Sequence, residues 1–400
     1  MNPNSGVLSG LRIVDLSTIV FGPYCTQMLA DMGAEVIKVE APEGDFFRQS
    51  GKARTSDDMG PIHMTLNRGK KSVVLDLKSA SGKQALIDLI RSADVFIHNV
   101  RSAAIKKLGF DYETVSTHAP NLIYVHCVGY ASVGPYADFP AYDDTIQAAS
   151  GLIDLCAQTS ETYSPKFIPT IVADKVSGLY AAQGVLAAYI HKLQTGKGQH
   201  VEIPMFESFV HFLLEEHLFE RTYEPPVGNF GYRRIMDKDR KPFPTSDGFI
   251  SILAYTDQNW KDLFQLLECP EILSAQPVEG SLLRVQHVGQ FYAAIAERTP
   301  MRTTAAWMKL LNQINVPAMP VRKIEDILED PQLAAGGFFK VVEHPTEGSY
   351  IQMQPPVKFS AVGSPEVGHA PRLGEHTQEV LEELSSGARP DKSVAIVERR

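Results

Sequence analysis

Asp174 is the residue whose type and position in the chain best suit it for chemistry. Apolar residues such as Val176, Leu179 and Ile190 recur at helical steps, which predicts a helix from Val172 to Leu193. Asp174 falls in its first turn, where backbone N–H groups and the helix dipole favour a negative charge by about 0.3–1 kcal/mol. We therefore expect an ionised carboxylate at neutral pH. Its spacing alone also fits an ordinary helix-capping aspartate.

The adjoining side of this helix carries only small residues, at Ser177, Ala181, Gly184 and Ala188. Small side chains let a second backbone come close, so we expect another element to pack against this side. The sequence of the helix does not say which element that is.

The residues around Asp174 belong to a longer pattern. Its parts are Pro169–Lys175 (PTIVADK), Thr195–Gln199 (TGKGQ) and Met205–Ser208 (MFES). This pattern resembles the family III CoA-transferases, also called the CaiB–BaiF family, which includes formyl-CoA transferase. In that family, the aspartate at the position of Asp174 is the nucleophile that carries the acyl group. The resemblance covers most of the chain, and its other segments are Gly10–Leu16, Gly22–Glu40, Asn67–Ser72, Tyr142–Asp143 and Leu373–Thr377.

The resemblance implies transfer of coenzyme A from an acyl-CoA donor to a carboxylic acid acceptor, through an aspartyl-CoA intermediate on Asp174. A carboxylate suits this reaction because the mixed anhydride it forms can be attacked in turn by the departing thiolate. The CoA thioester is then a substrate, and neither a permanently bound cofactor nor a metal is needed. The backbone amides of Ile19–Gly22 are candidate oxyanion donors, since ligands bind at the carboxyl ends of strands in parallel α/β sheets.

Coenzyme A also carries phosphates, which bind to cations or helix N-termini. Our candidates for the cofactor-binding site are Val20, Lys38, Lys70, Lys71, Asn99, Arg101, Lys107, Tyr130, Tyr142 and Asp143. Arg68 and Lys106, like the cations among these candidates, fall at or near the ends of predicted strands or in adjoining turns. Each cation could equally be an ordinary surface charge, while Asn99 could be a helix cap and Tyr130 a core aromatic residue.

Two segments depart from the pattern of the formyl-CoA transferases. Val20 stands where those enzymes have a glutamine, and Gly228–Lys241 lacks their run of glycines. Formyl-CoA with oxalate is therefore not the substrate pair that we expect. Arg233, Arg234 and Lys241 could instead bind the carboxylate of an acceptor such as succinate, or form a solvated basic loop.

Two other functions remain open. The α-methylacyl-CoA racemases share the implied fold but carry a histidine before the aspartate that corresponds to Asp143, where this chain has Tyr142. Because an ordinary tyrosine has a pKa near ~10, it is a poor base at neutral pH, which favours the transferase. The third possibility is a CoA-binding protein without turnover, in which Asp174 only caps its helix.

Alternating strands and helices must position these residues. The first half of the chain predicts strands at Leu11–Leu16, Glu35–Glu40, Ser72–Leu77, Asp94–Asn99 and Leu122–Cys127, and helices at Tyr24–Met32, Ser81–Arg91 and Ala103–Leu108. This alternation predicts an α/β fold with a Rossmann-like parallel sheet and helices on both faces. Neither GxGxxG nor GxxxxGK[ST] occurs, which argues against NAD and ATP as ligands.

The second half predicts a smaller α+β domain. Its expected elements are a helix at Phe206–Glu220, an irregular segment at Arg221–Lys241, a strand at Phe249–Leu253, helices at Gln258–Leu267, Val285–Ala296 and Thr303–Gln313, a hairpin of Phe338–Glu343 with Ser349–Met353, a helix at Gln378–Leu384 and a tail at Ser385–Arg400. We expect residues 1–205 and 331–400 to form the large CoA-binding domain, 206–241 a linker region and 242–330 the small domain. The resemblance further implies a homodimer of interlocked chains.

Composition limits the remaining classes of function. The 400-residue chain has a formal net charge of -9, which argues against a general nucleic-acid binder. Its four cysteines have neither CxxC nor zinc-ligand spacing and are expected to be free thiols. No signal peptide is evident, and no apolar run approaches the ~18–20 residues that span a bilayer. We expect a cytoplasmic protein whose partners are an acyl-CoA, a small carboxylic acid and a second copy of itself, with no nucleic acid and no membrane.

Overall fold

The computed structural model describes residues 6–275, 281–362 and 366–387. The described residues form two compact units. The large unit is drawn from Met1–Ser150, Ile168–Phe212 and Pro331–Arg400, and the small unit from Gly151–Phe167 and Leu213–Asp330. The domain boundaries predicted from the sequence stay a prediction, and these units differ from them in placing residues 151–167 and 213–241 in the small unit.

Six parallel strands form the central sheet of the large unit. They are β1 (Arg12–Asp15), β2 (Glu35–Glu40), β3 (Lys71–Val74), β4 (Val95–His98), β5 (Ile123–Val128) and β6 (Gln199–Pro204). Their order is β3-β2-β1-β4-β5-β6, so the strand order reverses between β1 and β4. In such sheets, ligands bind in the crevice beyond the carboxyl ends of the two strands at the reversal. The predicted Rossmann-like parallel sheet is confirmed.

Helices connect these strands along the chain, although residues 152–158 and 213–217 of the helices given below belong to the small unit. The helices from residue 21 to residue 217 are α1 (Phe21–Asp31), α2 (Pro61–Leu66), α3 (Ala80–Arg91), α4 (Ser102–Leu108), α5 (Tyr112–His118), α6 (Asp143–Ala149), α7 (Leu152–Gln158), α8 (Val172–Thr195) and α9 (Met205–His217). Leu86, Leu89 and Ile90 of α3 pack with Phe96 of β4 in the main core. Strands buried on both faces read as continuous apolar runs, which is why this half was predictable.

The small unit has its own aromatic core and its own sheet. Its antiparallel strands are β7 (Phe243–Pro244), β8 (Phe249–Ile252) and β9 (Ala318–Pro320), and its later helices are α10 (Asp257–Leu266), α11 (Glu271–Ala275), α12 (Ser281–Arg298) and α13 (Thr304–Gln313). Trp260, Phe264 and Phe291 pack together in its centre, with ring centroids 5.1–5.6 Å apart. The small unit is therefore of the α+β type predicted from the sequence.

The last part of the chain belongs to the large unit. It contains α14 (Pro331–Ala335), the antiparallel hairpin of β10 (Phe339–His344) and β11 (Gly348–Met353), and α15 (Thr377–Ser385). Val380 of α15 joins the main core. The predicted hairpin and final helix are confirmed, whereas residues 388–400 of the predicted tail lie outside the described residues. In the described ranges, no helix combines the length and apolarity needed to cross a bilayer. The cytoplasmic location stays a prediction.

Candidate active site

The N-terminus of α8 is capped from another helix. Ile171 precedes α8 and has no polar side-chain atom. Asp143, the first residue of α6, instead accepts hydrogen bonds through Oδ1 from the backbone amides of Ala173 (2.6 Å) and Asp174 (3.2 Å). The interpretation of Asp174 as the cap of its own helix is therefore wrong, because Asp143 performs that role.

The carboxylate of Asp174 lies where α8 meets α1. Its Oδ1 accepts a hydrogen bond of 3.1 Å from the backbone amide of Phe21, the first residue of α1, and Asp174 is 7% exposed. A Cβ at Gly178 would lie only 3.0 Å from the carbonyl oxygen of Phe21, so the two helices approach closely here. On the predicted small-residue side, a Cβ at Gly184 would lie 3.0 Å from Ile203 of β6. The expectation that another element packs against this side is confirmed.

Asp174 titrates near neutral pH in this environment. Burial, first, and the like charge of Asp143, second, raise the pKa of Asp174 from 3.8 to about 7, while the hydrogen bond from Phe21 opposes the rise. The helix N-terminus stabilises the ionised form by only about 0.3–1 kcal/mol, which is less than the free energy by which burial destabilises it. The expectation that Asp174 is ionised at neutral pH is therefore not borne out, because burial raises its pKa into the neutral range. A carboxyl group with such a shifted pKa is typical of a functional site.

Gln147 fixes the orientation of Asp143. Its side chain is fully buried, and its Nε2 donates a hydrogen bond of 2.6 Å to Oδ2 of Asp143. Its Oε1 accepts a hydrogen bond of 3.0 Å from the backbone amide of Ile168, in the segment that leads to α8. The sequence prediction missed Gln147, although its spacing of four residues from Asp143 on one helix is a usable signal.

Val20 and Asn99 lie at the turn between β1 and α1. Val20 is buried and directly precedes α1. Asn99 follows β4, and its side chain holds the backbone of Thr18: Oδ1 accepts from the Thr18 amide (3.0 Å) and Nδ2 donates to the Thr18 carbonyl (2.8 Å). Asn99 thus holds the β1–α1 turn, and the cofactor-binding roles predicted for both residues stay predictions.

Lys38 and Lys70 are buried in ion pairs, which does not suit the phosphate-binding role predicted for them. The Nζ atom of Lys38 is 2.9 Å from Oδ2 of Asp45 and donates to the carbonyl of Ser17 at 2.9 Å. The Nζ atom of Lys70 lies 3.5 Å from Oδ2 of Asp15. Both lysines are almost inaccessible, so their charges balance carboxylates inside the fold instead of facing a ligand.

The other predicted cations are placed differently. Lys71 is partly exposed, and its Nζ lies 2.8 Å from Glu379 and 3.4 Å from Glu35. Arg101 directly precedes α4, Lys106 and Lys107 lie in its last turn, and all three are exposed. These three leave their charged groups at the surface, next to the segment that follows β4.

The two predicted tyrosines differ in exposure. Tyr130 is buried and packs against Tyr136 and Phe206, with ring centroids 5.5 Å away in each case. Tyr142 is 65% exposed and directly precedes Asp143 at the start of α6. Tyr130 therefore fits the alternative interpretation as a core aromatic residue better than a cofactor-binding role. The side chain of Tyr142, in contrast, is accessible to a ligand.

The basic segment of the small unit is largely paired within that unit. Arg233 lies 2.8 Å from Glu220, and Lys241 lies 3.6 Å from Glu161. The guanidinium of Arg234 lies 5.7 Å from the centroid of the Tyr232 ring. The proposal that these cations bind an acceptor carboxylate gains no support from these partners. Among the described residues, no group of three or more His, Cys, Asp or Glu side chains could hold a metal ion.

The chain resembles known proteins along most of its length. Residues 8–377 match the model of CoA-transferase family III. A succinate–glutarate CoA-transferase of Agrobacterium fabrum is 32% identical over 95% of this chain and 96% of its own length. A succinyl-CoA:mesaconate CoA-transferase of Haloarcula hispanica is 31% identical over 96% and 97% of the two chains. The crystal structure of a CaiB/BaiF family protein from Brucella suis has a TM-score of 0.80 and 29% identity, covering 95% of this chain and all of that one. On this evidence the chain belongs to CoA-transferase family III, the CaiB/BaiF family, and is a CoA-transferase.

Proposed function

We propose that this CoA-transferase works through a covalent aspartyl-CoA intermediate on Asp174. The observation that supports the proposal is the environment of its carboxylate, which lies between α1 and α8 beside the crevice of the sheet and is held by the Phe21 amide. No ion pair among the described residues neutralises it. Its pKa, raised by burial and by Asp143 to about 7, makes the ionised form both available and more basic than an ordinary aspartate.

In the proposed reaction, Asp174 attacks the carbonyl carbon of the donor thioester, which expels the CoA thiolate and forms a mixed anhydride. The thiolate then attacks the aspartyl carbonyl of the anhydride, which releases the donor acid and leaves an aspartyl-CoA thioester. The acceptor carboxylate attacks this thioester and expels the thiolate again. The thiolate finally attacks the acceptor's acyl carbon, which gives acceptor-CoA and restores the Asp174 carboxylate without net proton transfer.

Backbone amides of the β1–α1 turn supply the proposed electrostatic stabilisation. The Phe21 amide already donates to Oδ1 of Asp174, which leaves Oδ2 as the attacking oxygen. When Asp174 becomes acylated, Oδ1 becomes a carbonyl oxygen, and the same amide stabilises the oxyanion that forms on it when the thiolate attacks the anhydride and when the acceptor attacks the aspartyl thioester. A backbone donor of this kind does not depend on the side chain at position 20, where this chain has Val20.

The proposed substrates are succinyl-CoA as donor and a small dicarboxylate as acceptor. The printed names of the two relatives, succinate–glutarate and succinyl-CoA:mesaconate CoA-transferase, support this choice. A panel of acyl-CoA donors and acceptor acids, followed by chromatography of the CoA esters, tests it. Transfer to dicarboxylates should exceed transfer to matched monocarboxylates by about tenfold or more, because one hydrogen bond to the second, charged carboxylate contributes about 1.5–3 kcal/mol. Incorporation of solvent deuterium at the α-carbon without CoA transfer would instead favour the racemase.

Replacement of Asp174 tests the proposed chemistry. Asp174→Asn keeps the shape of the side chain but removes the nucleophilic charge, so transfer should fall by about 10³-fold or more while the protein stays folded. Asp144→Asn is the matched control, because Asp144 is an exposed carboxylate on α6 next to Asp143. Near-normal turnover in Asp174→Asn would contradict the proposal.

Arg101 and Lys107 are the proposed contacts for the phosphates of coenzyme A, because both are exposed beside α4. Arg101→Ala and Lys107→Ala should raise KM for the acyl-CoA about tenfold with little change in kcat, which is the effect of losing uniform binding. Lys309→Ala, an exposed lysine of the small unit, is the control. If these cations bind the 3′-phosphate, the difference in KM between each variant and the wild type should be smaller with 3′-dephospho-CoA esters. An unchanged KM in both variants would exclude them.

The proposed assembly is a homodimer of interlocked chains, as the family resemblance implies. An apolar face of α8 supports it: Leu179, Ile190 and Leu193 lie on one side of the helix and are 45%, 55% and 68% exposed. Light scattering should give a mass of about twice the 44.1 kDa of the chain. Ile190→Glu should weaken the dimer, and a wild-type protein that is monomeric at micromolar concentration would refute the assignment.

A further inference from the structure

The β1–α1 turn, residues 17–20, is held in a conformation that its sequence does not favour. Ile19 has φ of +70°, in the left-handed region that β-branched residues rarely adopt. Such a conformation is strained for a β-branched residue and persists only where the surroundings impose it. The turn also folds tightly onto α1, since a Cβ at Gly22 would lie 2.2 Å from Oγ of Ser17.

Two sets of hydrogen bonds impose this conformation. On one side, the Asn99 side chain holds both backbone groups of Thr18, at 3.0 and 2.8 Å. On the other side, the carboxylate of Asp45 accepts from the Ile19 amide at 3.3–3.4 Å, and Lys38 joins Asp45 to the Ser17 carbonyl with two contacts of 2.9 Å. The strained residue is thus fixed through the backbone immediately before it and through its own amide.

The turn leads directly to the amide that contacts the proposed nucleophile. Val20 follows Ile19, and the next backbone N–H, that of Phe21, donates to Oδ1 of Asp174 at 3.1 Å. The carbonyl of Phe21 lies against Gly178 of α8, so a shift of this peptide would also disturb the packing of the two helices. If Ile19 relaxed to negative φ, the Phe21 amide would move away from Asp174.

We propose that Asn99 is a positioning residue for the nucleophile: by clamping Thr18, it keeps Ile19 left-handed and thereby keeps the Phe21 amide on Asp174. This inference rests on the proposed role of Asp174. It gives Asn99 a part in the chemical step that differs from the coenzyme A contact predicted from the sequence.

Loss of the contact between Asn99 and Thr18 should also change the pH dependence of the enzyme. Two groups face the Asp174 carboxylate: Asp143 from α6, which raises its pKa, and the Phe21 amide from α1, which lowers it. Burial remains in either case. Loss of the Phe21 contact therefore raises the pKa of Asp174 further, and the acid limb of the activity profile moves to higher pH.

The test measures kcat, KM for the acyl-CoA and the pH profile of kcat/KM for Asn99→Ala. We expect kcat to fall about 10- to 100-fold, the effect of a displaced catalytic contact, and the acid midpoint to rise by about half a pH unit or more. A purely coenzyme A-binding role for Asn99 would instead raise KM and leave the midpoint unchanged, and this result would overturn the proposal. The matched control is Asn121→Ala, because Asn121 precedes β5 and so lies at the amino-terminal ends of the strands, away from the β1–α1 turn.

A second variant separates positioning from general loss of structure. Glycine adopts positive φ without strain, so Ile19→Gly removes the tendency of residue 19 to relax. The double variant Asn99→Ala with Ile19→Gly should recover at least about threefold of the lost kcat and part of the shift in midpoint. No recovery, with both variants folded by circular dichroism, would overturn the proposal. An active Asp174→Asn variant would instead overturn the proposed function itself, so the two failures are distinguishable.

Discussion

Removal of the charge on Asp143 should make the enzyme active at lower pH. The pKa of Asp174 is raised to about 7 by burial and then by the charge of Asp143. Asp143→Asn removes the second cause while an amide oxygen at position 143 can still accept the hydrogen bonds from Ala173 and Asp174. Because the ionised form of Asp174 is the proposed nucleophile, kcat/KM should decline at a lower pH in the variant than in the wild type.

The expected size of this effect follows from the distance between the two groups. Oδ1 of Asp143 lies 3.2 Å from the backbone amide of Asp174. This places the two carboxylates within about 6 Å, where unit charges at an effective dielectric constant of about 20 interact by ~3 kcal/mol, or about two pH units. The asparagine dipole and rearranged solvent offset part of this gain. We therefore expect the midpoint to fall by about one pH unit, from about 7 to about 6.

The assay is kcat/KM for CoA transfer measured from about pH 5 to about pH 9. At pH 6 the wild type should retain about a tenth of its plateau value and Asp143→Asn about half. Asp144→Asn, the next residue on α6, controls for the loss of a surface charge and should keep the wild-type midpoint. Titration of the substrates is common to all three proteins and cancels. A midpoint that stays near 7 or rises in Asp143→Asn would refute the electrostatic coupling.

Three predictions concern stability. Burial and then Asp143 raise the pKa of Asp174 to about 7. Between about pH 4 and pH 7, the native state therefore binds a proton that the unfolded state has already lost, so the free energy of unfolding falls as the pH rises through that range. Calorimetry should show a higher Tm for Asp174→Asn than for the wild type at about pH 8 and equal values near pH 4; a constant difference would contradict this. Lys70→Met leaves Asp15 buried without its ammonium partner and should lower the free energy of unfolding by about 3 kcal/mol in denaturant titration, whereas the exposed Lys107→Met should change it by less than about 0.5 kcal/mol. The pKa of His98 is lowered by burial and then by His126 and His200, so the Tm should decrease as the pH drops under about 6.5 and the unfolded state alone takes up the proton. His98→Phe should make this decrease in Tm less steep, and an unchanged slope of Tm against pH would contradict the prediction.

The backbone architecture was largely predictable from local patterns. The run Glu35–Glu40 predicts β2 with the ends that the structure has, because the β-branched residues Val36, Ile37 and Val39 favour a strand. The small residues on one side of α8 likewise predicted close packing, and Gly184 does pack closely against Ile203 of β6. These features depend on periodicity along the chain, which is visible in a single sequence.

The electrostatic features of the site were not predictable in the same way. Lys38 and Lys107 look alike in the sequence, yet one is buried against Asp45 and the other is exposed. What separates them is a tertiary partner, and no local pattern records it. The protonation of Asp174 depends in the same way on Asp143, 31 residues earlier in the chain.

The strain in the β1–α1 turn left no signal at all. A glycine would have suggested positive φ, but position 19 is an isoleucine whose local preference is extended. Its conformation is imposed by Asn99 and Asp45, which come from different parts of the chain. Residues that depart from local preference are often found at functional sites, and Ile19 lies next to the proposed one.

The most direct test of the account is to trap the covalent intermediate. The wild-type enzyme is incubated with succinyl-CoA and no acceptor, quenched with hydroxylamine, and digested for peptide mass spectrometry. The account predicts a hydroxamate on the peptide that contains Asp174, and its absence after the same treatment of Asp174→Asn. An unmodified Asp174 in enzyme that transfers CoA at the normal rate, or a hydroxamate on another carboxylate such as Asp143, would contradict it.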